Sequence, residues 1–449
     1  MTLKKAFIYT IIGSIFLFLF SYIATAQSKK LTLKEALALT MANNREVKIS
    51  SLDIDRSQQQ IDIAKSQSLP SVGINGQVAH YFNAPAFFGF GTSSTGNEKI
   101  NYGRFGGKDQ VAATLYVNQP LYNAGIKPGL QYARLLQKQS DLLHTGKKTE
   151  IAALLKQTYI QVLVLNERIK LQRESLVRNE KALQDARSLL AQGRALRVDT
   201  LRAYTSVKNL EPELLKLSYS VDVGKQQLKT LTGIDPSQEI EISDSLIVPA
   251  VQGQFTETEV YAAAKQHRPD LQVLDLQQQL GDQQIKLANA ATKPVVSATG
   301  QYLLQSQTNR FDYVNAYYPS TTFVGVQLAV PIFSGFSNKA KIRQAKIEKK
   351  QSVIRSENAS EQLRSEVKQV VANLHETAAR IQTQANVKET ALLSYDMTQY
   401  RYTKGVASRL ELTDAELALT AAQSNYLEAV YDYLSARIAL DLITGKTGE

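Results

Sequence analysis

The chain carries one sequence pattern twice, and this duplication limits its fold more than any single motif does. Residues 31–36 are matched 224 positions later by residues 255–260. Farther along, the offset is 212, and it pairs the Thr-Gly of residues 232–233 with that of residues 444–445. Each copy has the pattern of a helix, two short strands, one very long helix and a further helix. A long-period duplication of this kind predicts two copies of one structural unit.

The amino-acid composition favours long packed helices. The chain has 449 residues, of which 43% are hydrophobic, 21% are charged and only 11 are proline. Gln, Ala, Leu and Lys dominate several long stretches, which is typical of extended helices rather than of compact α/β domains. The chain has no Cys, which excludes disulfides, thiolate metal sites and Cys nucleophiles.

Residues 1–26 have the pattern of a secretory signal peptide. Lys4 and Lys5 precede an apolar run over residues 6–23, and residues 24–26 have the small-x-small ending that signal peptidase requires. A membrane anchor is the alternative, because the run is near the lower length limit for a spanning helix. The cleavage-like ending favours the signal peptide. No other stretch approaches about 18 apolar residues, so the mature chain is predicted to have no membrane-spanning helix.

The first copy, residues 27–233, begins with a helix and then changes to alternating strands. Residues 31–68 have helical periodicity, and Thr32 with Glu35 forms a capping box that predicts the start of this helix. From Pro70 onward the period becomes two, which predicts β-structure. The two predicted strands span about 71–82 and about 110–120.

A loop and a very long helix follow in this first copy. Residues 85–108 are rich in Gly, Asn and Phe and predict a long loop without regular structure. The next helix, over about 127–192, spans about 100 Å at about 1.5 Å per residue. A helix of this length must pack along partner helices. It turns at Gly193 into a return helix that Pro212 interrupts and Gly233 caps.

The second copy, residues 255–445, repeats these elements after a linker. The linker, residues 234–254, is predicted to be irregular from its Pro and Gly content. The second long helix turns at Gly405 into its return helix, and residues 446–449 form a short tail. The predicted strands span about 295–304 and about 322–332, and the predicted long helix spans about 338–404.

The four strands have the length and alternation of transmembrane β-strands. Each has about ten residues, with one apolar face and one polar or small face. A soluble antiparallel sheet with one buried face is the alternative. Aromatic residues near the strand ends, including Tyr81, Tyr122 and Phe333, resemble an interfacial girdle and favour the membrane.

Four strands cannot close a barrel, and open edges in lipid leave backbone groups without partners. Several chains must therefore pool their strands: two chains give eight strands and three chains give twelve. Eight strands fill their own interior with side chains, whereas a wider barrel holds an aqueous lumen. We therefore expect a fold that is mainly α with a small transmembrane β part, in which three chains form a 12-stranded β-barrel. This barrel continues into an α-helical barrel.

Several motifs in this order resemble the TolC family of outer membrane efflux proteins. Residues 119–122, Gln-Pro-Leu-Tyr, and residues 330–333, Val-Pro-Ile-Phe, follow the strands of the two copies. The most specific signature is Tyr-Thr-Lys-Gly at residues 402–405, leading through Glu411 and Asp414 into an Ala- and Leu-rich helix. Each motif is weak alone, but their order and double occurrence are specific, and the likeness covers nearly all of the mature chain.

This resemblance implies a function and a set of partners. It implies a homotrimer in the cell outer membrane, with a periplasmic helical tunnel through which substrates leave passively. The tunnel docks to a periplasmic adaptor protein and to an inner-membrane transporter of the RND, ABC or MFS type. The resemblance implies outer membrane lipid as the surrounding medium, no nucleic acid, no catalysis and no cofactor. The outer membrane component of a type I protein secretion system and, from another class, a periplasmic coiled-coil adaptor are the alternatives.

The resemblance also implies a role for the helix turns. In the family these turns form the periplasmic tips that contact the adaptor, which here points to Gly193, Gly405 and Tyr402. The alternative is simple turn chemistry, because a tight helix–helix turn needs the positive φ that Gly adopts. The first turn has Leu190 where the second has Tyr402.

Charged residues next to the turns are candidates for a gate at the periplasmic aperture. Glu411 and Asp414 share a helix face, and with Asp199 they match acidic aperture residues of the family. Three copies of each would form a negative constriction. The alternative is helix capping, because Ser408 and Glu411 also form a capping box.

The arginines near these acids are candidates for the lock of the gate. Well-studied family members have an Arg two residues after the second turn, where this chain has Ala407. We expect that one of the arginines near the turns pairs instead with Asp199 or Asp414. The candidates are Arg197, Arg202 and Arg409.

An enzymatic function finds no support in the sequence. The four histidines are scattered, with no pair at metal-ligand spacing on one helix face. No Ser/His/Asp motif, phosphate-binding loop or dinucleotide fingerprint is present. Because the chain is predicted to be exported, its net charge of +11 is a weak argument for nucleic acid.

Overall fold

The computed structural model describes residues 29–84, 86–88, 102–104, 106–247, 255–310 and 313–446. The predicted signal peptide, residues 1–26, lies outside the described residues. The last three residues of the predicted tail also lie outside them.

The described chain is mainly helical, as predicted, with a smaller β part. The helices are α1 (Leu33–Asn43), α2 (Arg45–Ser66), α3 (Ile126–Ala191), α4 (Arg197–Thr232), α5 (Glu257–His267), α6 (Pro269–Ala290), α7 (Ser337–Thr403) and α8 (Arg409–Ile443). The strands are β1 (Lys29–Leu31), β2 (Ser71–His80), β3 (Ala86–Phe88), β4 (Tyr102–Arg104), β5 (Asp109–Asn123), β6 (Ile240–Ile242), β7 (Val295–Thr308) and β8 (Ser320–Ala329). Among the described residues, no helix combines the length and the apolar composition needed to cross a membrane.

Four strands form one antiparallel sheet in the order β2-β5-β7-β8. Its register places Val72 opposite Val117, Val117 opposite Gly300, and Gly300 opposite Val324. The next row on this face contains Ile74, Leu115, Tyr302 and Thr322. Because side chains alternate between faces, these rows give the sheet one face that is mainly apolar. The apolar side chains of β2 and β8 on this face are exposed within the chain.

The chain divides into two compact units, each built from both sequence copies. Unit 1 comprises the described residues of Met1–Ser51, Leu143–Gln272 and Ala359–Glu449. Unit 2 comprises the described residues of Leu52–Leu142 and Val273–Asn358 and contains the four-stranded sheet.

The core of unit 1 reflects the duplication position by position. A first cluster of buried residues includes Leu155, Val162 and Leu228. A second cluster includes the residues that lie 212 positions later, Val367, Leu374 and Leu440. Both copies therefore bury the same faces of their long and return helices, which is how each amphipathic helix gains most of its stability.

The helix predicted over residues 31–68 is instead two helices, α1 and α2. Thr32 and Glu35 do form the predicted capping box at the start of α1. The break falls at Asn44, whose side-chain oxygen accepts the N–H of Glu46 at 2.9 Å. Its side-chain amide donates to the carbonyl of Leu231 at 3.0 Å. The prediction of one helix is wrong because this contact with a residue 187 positions away in the sequence fixes the break.

The second copy has a matching break at Arg268, between α5 and α6. A glycine at the end of a return helix packs against each of the two breaks. Gly233 and Gly445 adopt φ values of 70° and 68°. A Cβ atom on Gly233 would lie 2.8 Å from the Cβ of Asn43, and one on Gly445 would lie 2.7 Å from the carbonyl oxygen of His267. The Thr-Gly pairs of the two copies are therefore glycine for two reasons, the positive φ and the close approach of another helix.

Two further sequence predictions are wrong in part. The linker over residues 234–254 contains the short strand β6, which pairs in parallel with β1. The loop over residues 85–108 contains β3 and β4, which pair antiparallel. Both strands of each pair are only three residues long, so their sequences are too short to show an alternating period.

The return helix of the first copy continues through Pro212. Pro212 is exposed, and α4 has buried residues on both sides of it, including Val207 and Leu217. A proline in a helix interior removes one backbone hydrogen bond. The buried apolar contacts on both sides compensate for this loss, so the predicted interruption does not occur.

Candidate functional site

The two helix turns predicted to form the tips have the same geometry. Gly193, between α3 and α4, has a φ of 70°, and Gly405, between α7 and α8, has a φ of 76°. In the first turn Gly193 donates to the carbonyl of Leu190 and Arg194 donates to that of Leu189, at 2.9 and 2.8 Å. This pair of hydrogen bonds is a Schellman motif, which satisfies the last carbonyls of a helix. The second turn has the matching bonds, from Gly405 to Tyr402 and from Val406 to Arg401.

Both glycines are required by the backbone rather than by a close neighbour. Within the described residues, nothing lies within 4 Å of a Cβ atom placed on Gly193 or Gly405. The turn chemistry alone therefore explains glycine at both positions, and the proposed contact with an adaptor stays a prediction.

Glu411 caps the start of α8. Its carboxylate accepts from the N–H and from the hydroxyl of Ser408, at 3.2 and 3.0 Å, and its own N–H donates to the Ser408 hydroxyl. This is the capping box that the sequence offered as the alternative interpretation. The hydrogen bonds from Ser408, its N–H first, lower the pKa of Glu411, and Arg401 acts in the same direction. Glu411 is therefore a carboxylate at neutral pH.

Asp199 occupies the matching position at the start of α4. Its carboxylate accepts the N–H of Leu196 at 3.3 Å. Because Leu196 replaces the Ser408 of the second copy, the reciprocal side-chain bond is absent at this described helix start.

A groove between the starts of α4 and α8 brings three of the predicted gate residues together. It has a volume of about 390 Å³, and its lining includes Asp199, Arg202 and Arg409. Arg197, Glu411 and Asp414 are not among its lining residues. The remaining walls are apolar or hydroxylated and include Leu201, Leu410 and Thr413.

One ion pair and one cation–π contact lie close to the second helix turn. Arg401 lies 3.7 Å from the carboxylate of Glu411, with both side chains about half exposed. Among the described residues of one chain, no ion pair joins Arg197, Arg202 or Arg409 to Asp199 or Asp414. Arg409 lies over the ring of Tyr402, 5.9 Å from its centroid. The arginine lock therefore stays a prediction, and Arg401 is a charged residue near the turn that the sequence did not single out.

A buried polar cluster that sequence reasoning missed joins α3 to α8. Glu416 of α8 is 5% exposed. Its carboxylate accepts from Asn179 at 2.8 Å, from the Nε of Arg178 at 3.3 Å and from Ser175 at 3.5 Å. The guanidinium of Arg178 lies 5.7 Å from the ring centroid of Tyr395 on α7. The cluster therefore connects helices that belong to different sequence copies.

One sequence signal could have revealed this cluster. Leu412, Glu416 and Leu419 follow the spacing of a buried helix face, and all three are buried. Leu412 and Leu419 pack in one apolar cluster with Tyr395. A carboxylate in the middle of an apolar stripe needs a partner, since unpaired buried charges are costly.

The described residues contain no group of three or more His, Cys, Asp or Glu that could hold a metal ion. His80 and Asp109 face each other at the end of the sheet, with the imidazole Nδ1 2.5 Å from the carboxylate. Carboxylates and guanidinium groups lie beside the helix turns, at the starts of α4 and α8.

Comparison with known proteins identifies the class to which this fold belongs. The family model "Outer membrane efflux protein" matches residues 36–234 and 260–446, one segment for each sequence copy. The toluene efflux pump outer membrane protein TtgC of Pseudomonas putida is 23% identical over 421 residues, which cover 91% of this chain and 81% of that protein. The alkaline protease secretion protein AprF of Pseudomonas aeruginosa is 23% identical over 359 residues, or 76% of this chain and 71% of that protein.

A solved structure has the same fold. The outer membrane protein VceC of Vibrio cholerae superposes with a TM-score of 0.73 at 17% identity, covering 92% of this chain and 96% of that chain. Since the family model covers both copies, the chain belongs to the outer membrane efflux protein family. It is an outer membrane channel protein, as the resemblance in its motifs implied, and this is a family of channels rather than of enzymes.

Proposed function

We propose that three copies of this chain form one efflux channel across the outer membrane. The observation that carries this proposal is the four-stranded sheet with one exposed apolar face. In the described chain, β2 and β8 each pair with a strand on one side only. Strand edges in lipid must be paired. Three copies joined through these edges give a closed 12-stranded barrel, wide enough for an aqueous lumen.

The long helices α3 and α7 then wall a periplasmic tunnel below the barrel. The helix turns at Gly193 and Gly405 lie at its entrance, where Tyr402 and its neighbours contact a periplasmic adaptor. Three copies of Asp199, Glu411 and Asp414 surround the entrance and give it negative charge, which attracts cations and repels anions. The groove that contains Asp199, Arg202 and Arg409 supports a charged contact at this entrance.

Substrates pass through the channel without chemical change. An inner-membrane transporter supplies the energy, and the adaptor joins it to the channel. The name of TtgC concerns toluene efflux, which supports efflux as the function. The name of AprF concerns protease secretion, which makes type I protein secretion the second candidate. The transporter delivers the cargo, so the same channel architecture serves either task.

Reconstitution of the purified protein into planar lipid bilayers tests this function. We expect discrete conductance steps of uniform size, because closed trimers insert as identical pores. The same protein denatured by heat before addition is the control and should give no steps. Folded protein that associates with the bilayer but leaves its conductance unchanged would contradict the proposal.

A further inference from the structure

A stripe of exposed basic residues lies near the start of α7. Lys339, Arg343, Lys346 and Lys350 are spaced by four, three and four residues, which places them on one helix face. All four are exposed. We call this set the α7 basic stripe.

The first sequence copy carries the same feature on α3. Lys127, Arg134 and Lys138 lie 212 positions before Lys339, Lys346 and Lys350. They are exposed too. We call them the α3 basic stripe. The two stripes lie on equivalent turns of α3 and α7 in unit 2. Both sequence copies therefore have exposed positive charge at the same place in the repeated fold.

The stripe residues are not used to hold the helices together. Lys349, on another face of α7, pairs with Asp282 of α6 at 2.5 Å. Within the described residues, no carboxylate is paired with a member of either stripe. The packed side of this segment is formed by residues such as Ala345 and Ser352, which are 4% and 7% exposed. The positive charges of the two stripes therefore take part in no ion pair within the described part of the chain.

Exposed aromatic residues lie at the strand ends that lead into the stripes. Tyr122 is the next-to-last residue of β5 and is 52% exposed, and Phe333 lies between β8 and α7 and is 76% exposed. Phe336, the residue before α7, is 69% exposed and lines one groove together with Lys339 and Arg343. Apolar strands, then aromatic residues, then basic residues is the order found where a protein leaves a membrane.

A groove on α7 combines both kinds of side chain. It has a volume of about 690 Å³, and its lining includes Phe336 and Ile347 beside Lys339 and Arg343. Glu348 also lines it, with its carboxylate accepting from Gln344 at 2.9 Å. The two cationic groups outnumber this one carboxylate, and with the apolar side chains they fit a molecule with a hydrocarbon part and an anionic head.

We propose that the two basic stripes bind anionic phospholipids of the periplasmic leaflet of the outer membrane. Lys339 and Arg343 contact the phosphate of the headgroup, and Phe336 and Ile347 contact the start of the acyl chains. The α3 stripe holds a second lipid in the equivalent place. This inference rests on the proposed membrane insertion of the sheet. Clusters of Lys and Arg immediately beside a membrane segment bind anionic lipids, and each Lys or Arg near the membrane surface increases the affinity about fivefold.

Native mass spectrometry of the purified trimer tests this site. The protein is prepared in neutral detergent without anionic lipid and titrated with phosphatidylglycerol or with phosphatidylcholine. We expect tighter binding of phosphatidylglycerol, and weaker binding at high salt. In the variant Lys339→Gln, Arg343→Gln, Lys346→Gln and Lys350→Gln, the affinity for phosphatidylglycerol should fall by at least about tenfold. Binding of phosphatidylcholine should not change.

A matched control removes four other exposed basic residues, through Lys181→Gln, Lys341→Gln, Arg355→Gln and Lys368→Gln. It should retain the affinity for phosphatidylglycerol. Neutralising the α3 stripe, through Lys127→Gln, Arg134→Gln and Lys138→Gln, should repeat the loss and provides a second variant if the first does not fold.

Two outcomes would overturn the proposal. If the stripe variant binds lipid as the wild type does, but its reversal potential in a salt gradient shows increased selectivity for cations, the stripe lines the lumen. A stripe variant that folds but no longer forms trimers in neutral detergent would place it between copies of the chain. Failure of the wild-type protein to conduct ions would instead count against the proposed function, so the two are separable.

Discussion

Replacing Glu416 with alanine should accelerate hydrogen exchange about a hundredfold in the segments of α3 and α8 that this residue joins. The Glu416 carboxylate accepts three hydrogen bonds from α3, and the residue is 5% exposed. Removal of one partner from a buried charge pair costs about 3 kcal/mol, because the other charge stays desolvated. Arg178 would be that charge, and its side chain is 22% exposed. Exchange measured by mass spectrometry on peptides covering residues 168–191 and 409–422 checks this.

A second ion pair between the same two helices supplies the control. Arg168 of α3 and Glu428 of α8 lie 3.6 Å apart, with side chains 34% and 60% exposed. Because exposed ion pairs contribute less than about 1 kcal/mol, Glu428→Ala should change the hydrogen-exchange rate of α3 and α8 by no more than about fivefold. Equal effects of Glu416→Ala and Glu428→Ala would show that the buried cluster adds nothing to the contact between the helices.

The contribution of Glu416 should depend on pH in a defined direction. Burial raises the pKa of Glu416 above its ordinary value of 4.5, although Arg178 opposes this effect. The folded state thus holds the proton more tightly than the unfolded state does. The stabilisation from this proton is complete below pH 4.5 and is lost as the pH rises through the folded-state pKa. Stability of the wild type relative to Glu416→Gln should therefore fall as the pH rises from 4.5, and a rise would contradict this assignment.

Replacing both Asp199 and Asp414 with alanine should raise the single-channel conductance of the reconstituted protein. Asp199 shares its groove with Arg202 and Arg409, and Asp414 is exposed on the first turns of α8. In the gate hypothesis, Asp199 and Asp414 of each of three chains form exposed ion pairs that hold the entrance closed. At about 0.5 kcal/mol for each of these six carboxylates, their loss shifts the opening equilibrium by about a hundredfold. Planar bilayer recordings at equal salt measure the effect as larger or longer openings.

The control for this experiment removes two exposed carboxylates elsewhere on α4, through Glu213→Ala and Asp222→Ala. This variant loses the same charge per chain and should conduct like the wild type. Unchanged conductance in the variant that lacks Asp199 and Asp414 would contradict the gate hypothesis. If conductance rises, single substitutions of Arg197, Arg202 and Arg409 identify the partner, because loss of the partner alone should reproduce the rise.

Local sequence patterns predicted the elements whose causes are local. The capping box of Thr32 and Glu35 and that of Ser408 and Glu411 lie within four residues each, and both are present. The alternation of apolar residues predicted the apolar face of the sheet, because side chains on a strand alternate by backbone geometry. The duplication and the order of motifs predicted the family, and the family model matches one segment in each copy.

The features that the sequence did not reveal depend on contacts between distant residues. Asn44 breaks a helix through a bond to Leu231, and Glu416 is held by α3 residues more than 230 positions away. The continuation of α4 through Pro212 depends on tertiary packing, which overrides helix propensity. The arginine lock stays a prediction. In one described chain Arg401 pairs with Glu411, and Arg409 lies over the ring of Tyr402.

Disulfide cross-linking between β2 and β8 tests most directly whether three chains close one barrel. Within one chain, β5 and β7 separate these strands, so they are about 14 Å apart at about 4.8 Å per strand. A disulfide requires Cα atoms about 4.4–6.8 Å apart and must therefore join two chains. The chain has no Cys of its own, so every disulfide that forms must join two introduced cysteines.

The design combines Asn75→Cys on the polar face of β2 with one cysteine at a time on the same face of β8, at Thr321, Phe323, Gly325 or Gln327. After mild oxidation of the membrane-inserted protein, at least one pair should yield a covalent trimer as the largest product, and the single-cysteine variants should yield none. A covalent dimer as the end product would indicate an eight-stranded barrel. Covalent products of more than three protomers would contradict the trimeric channel. The absence of a cross-link at all four positions would contradict it too.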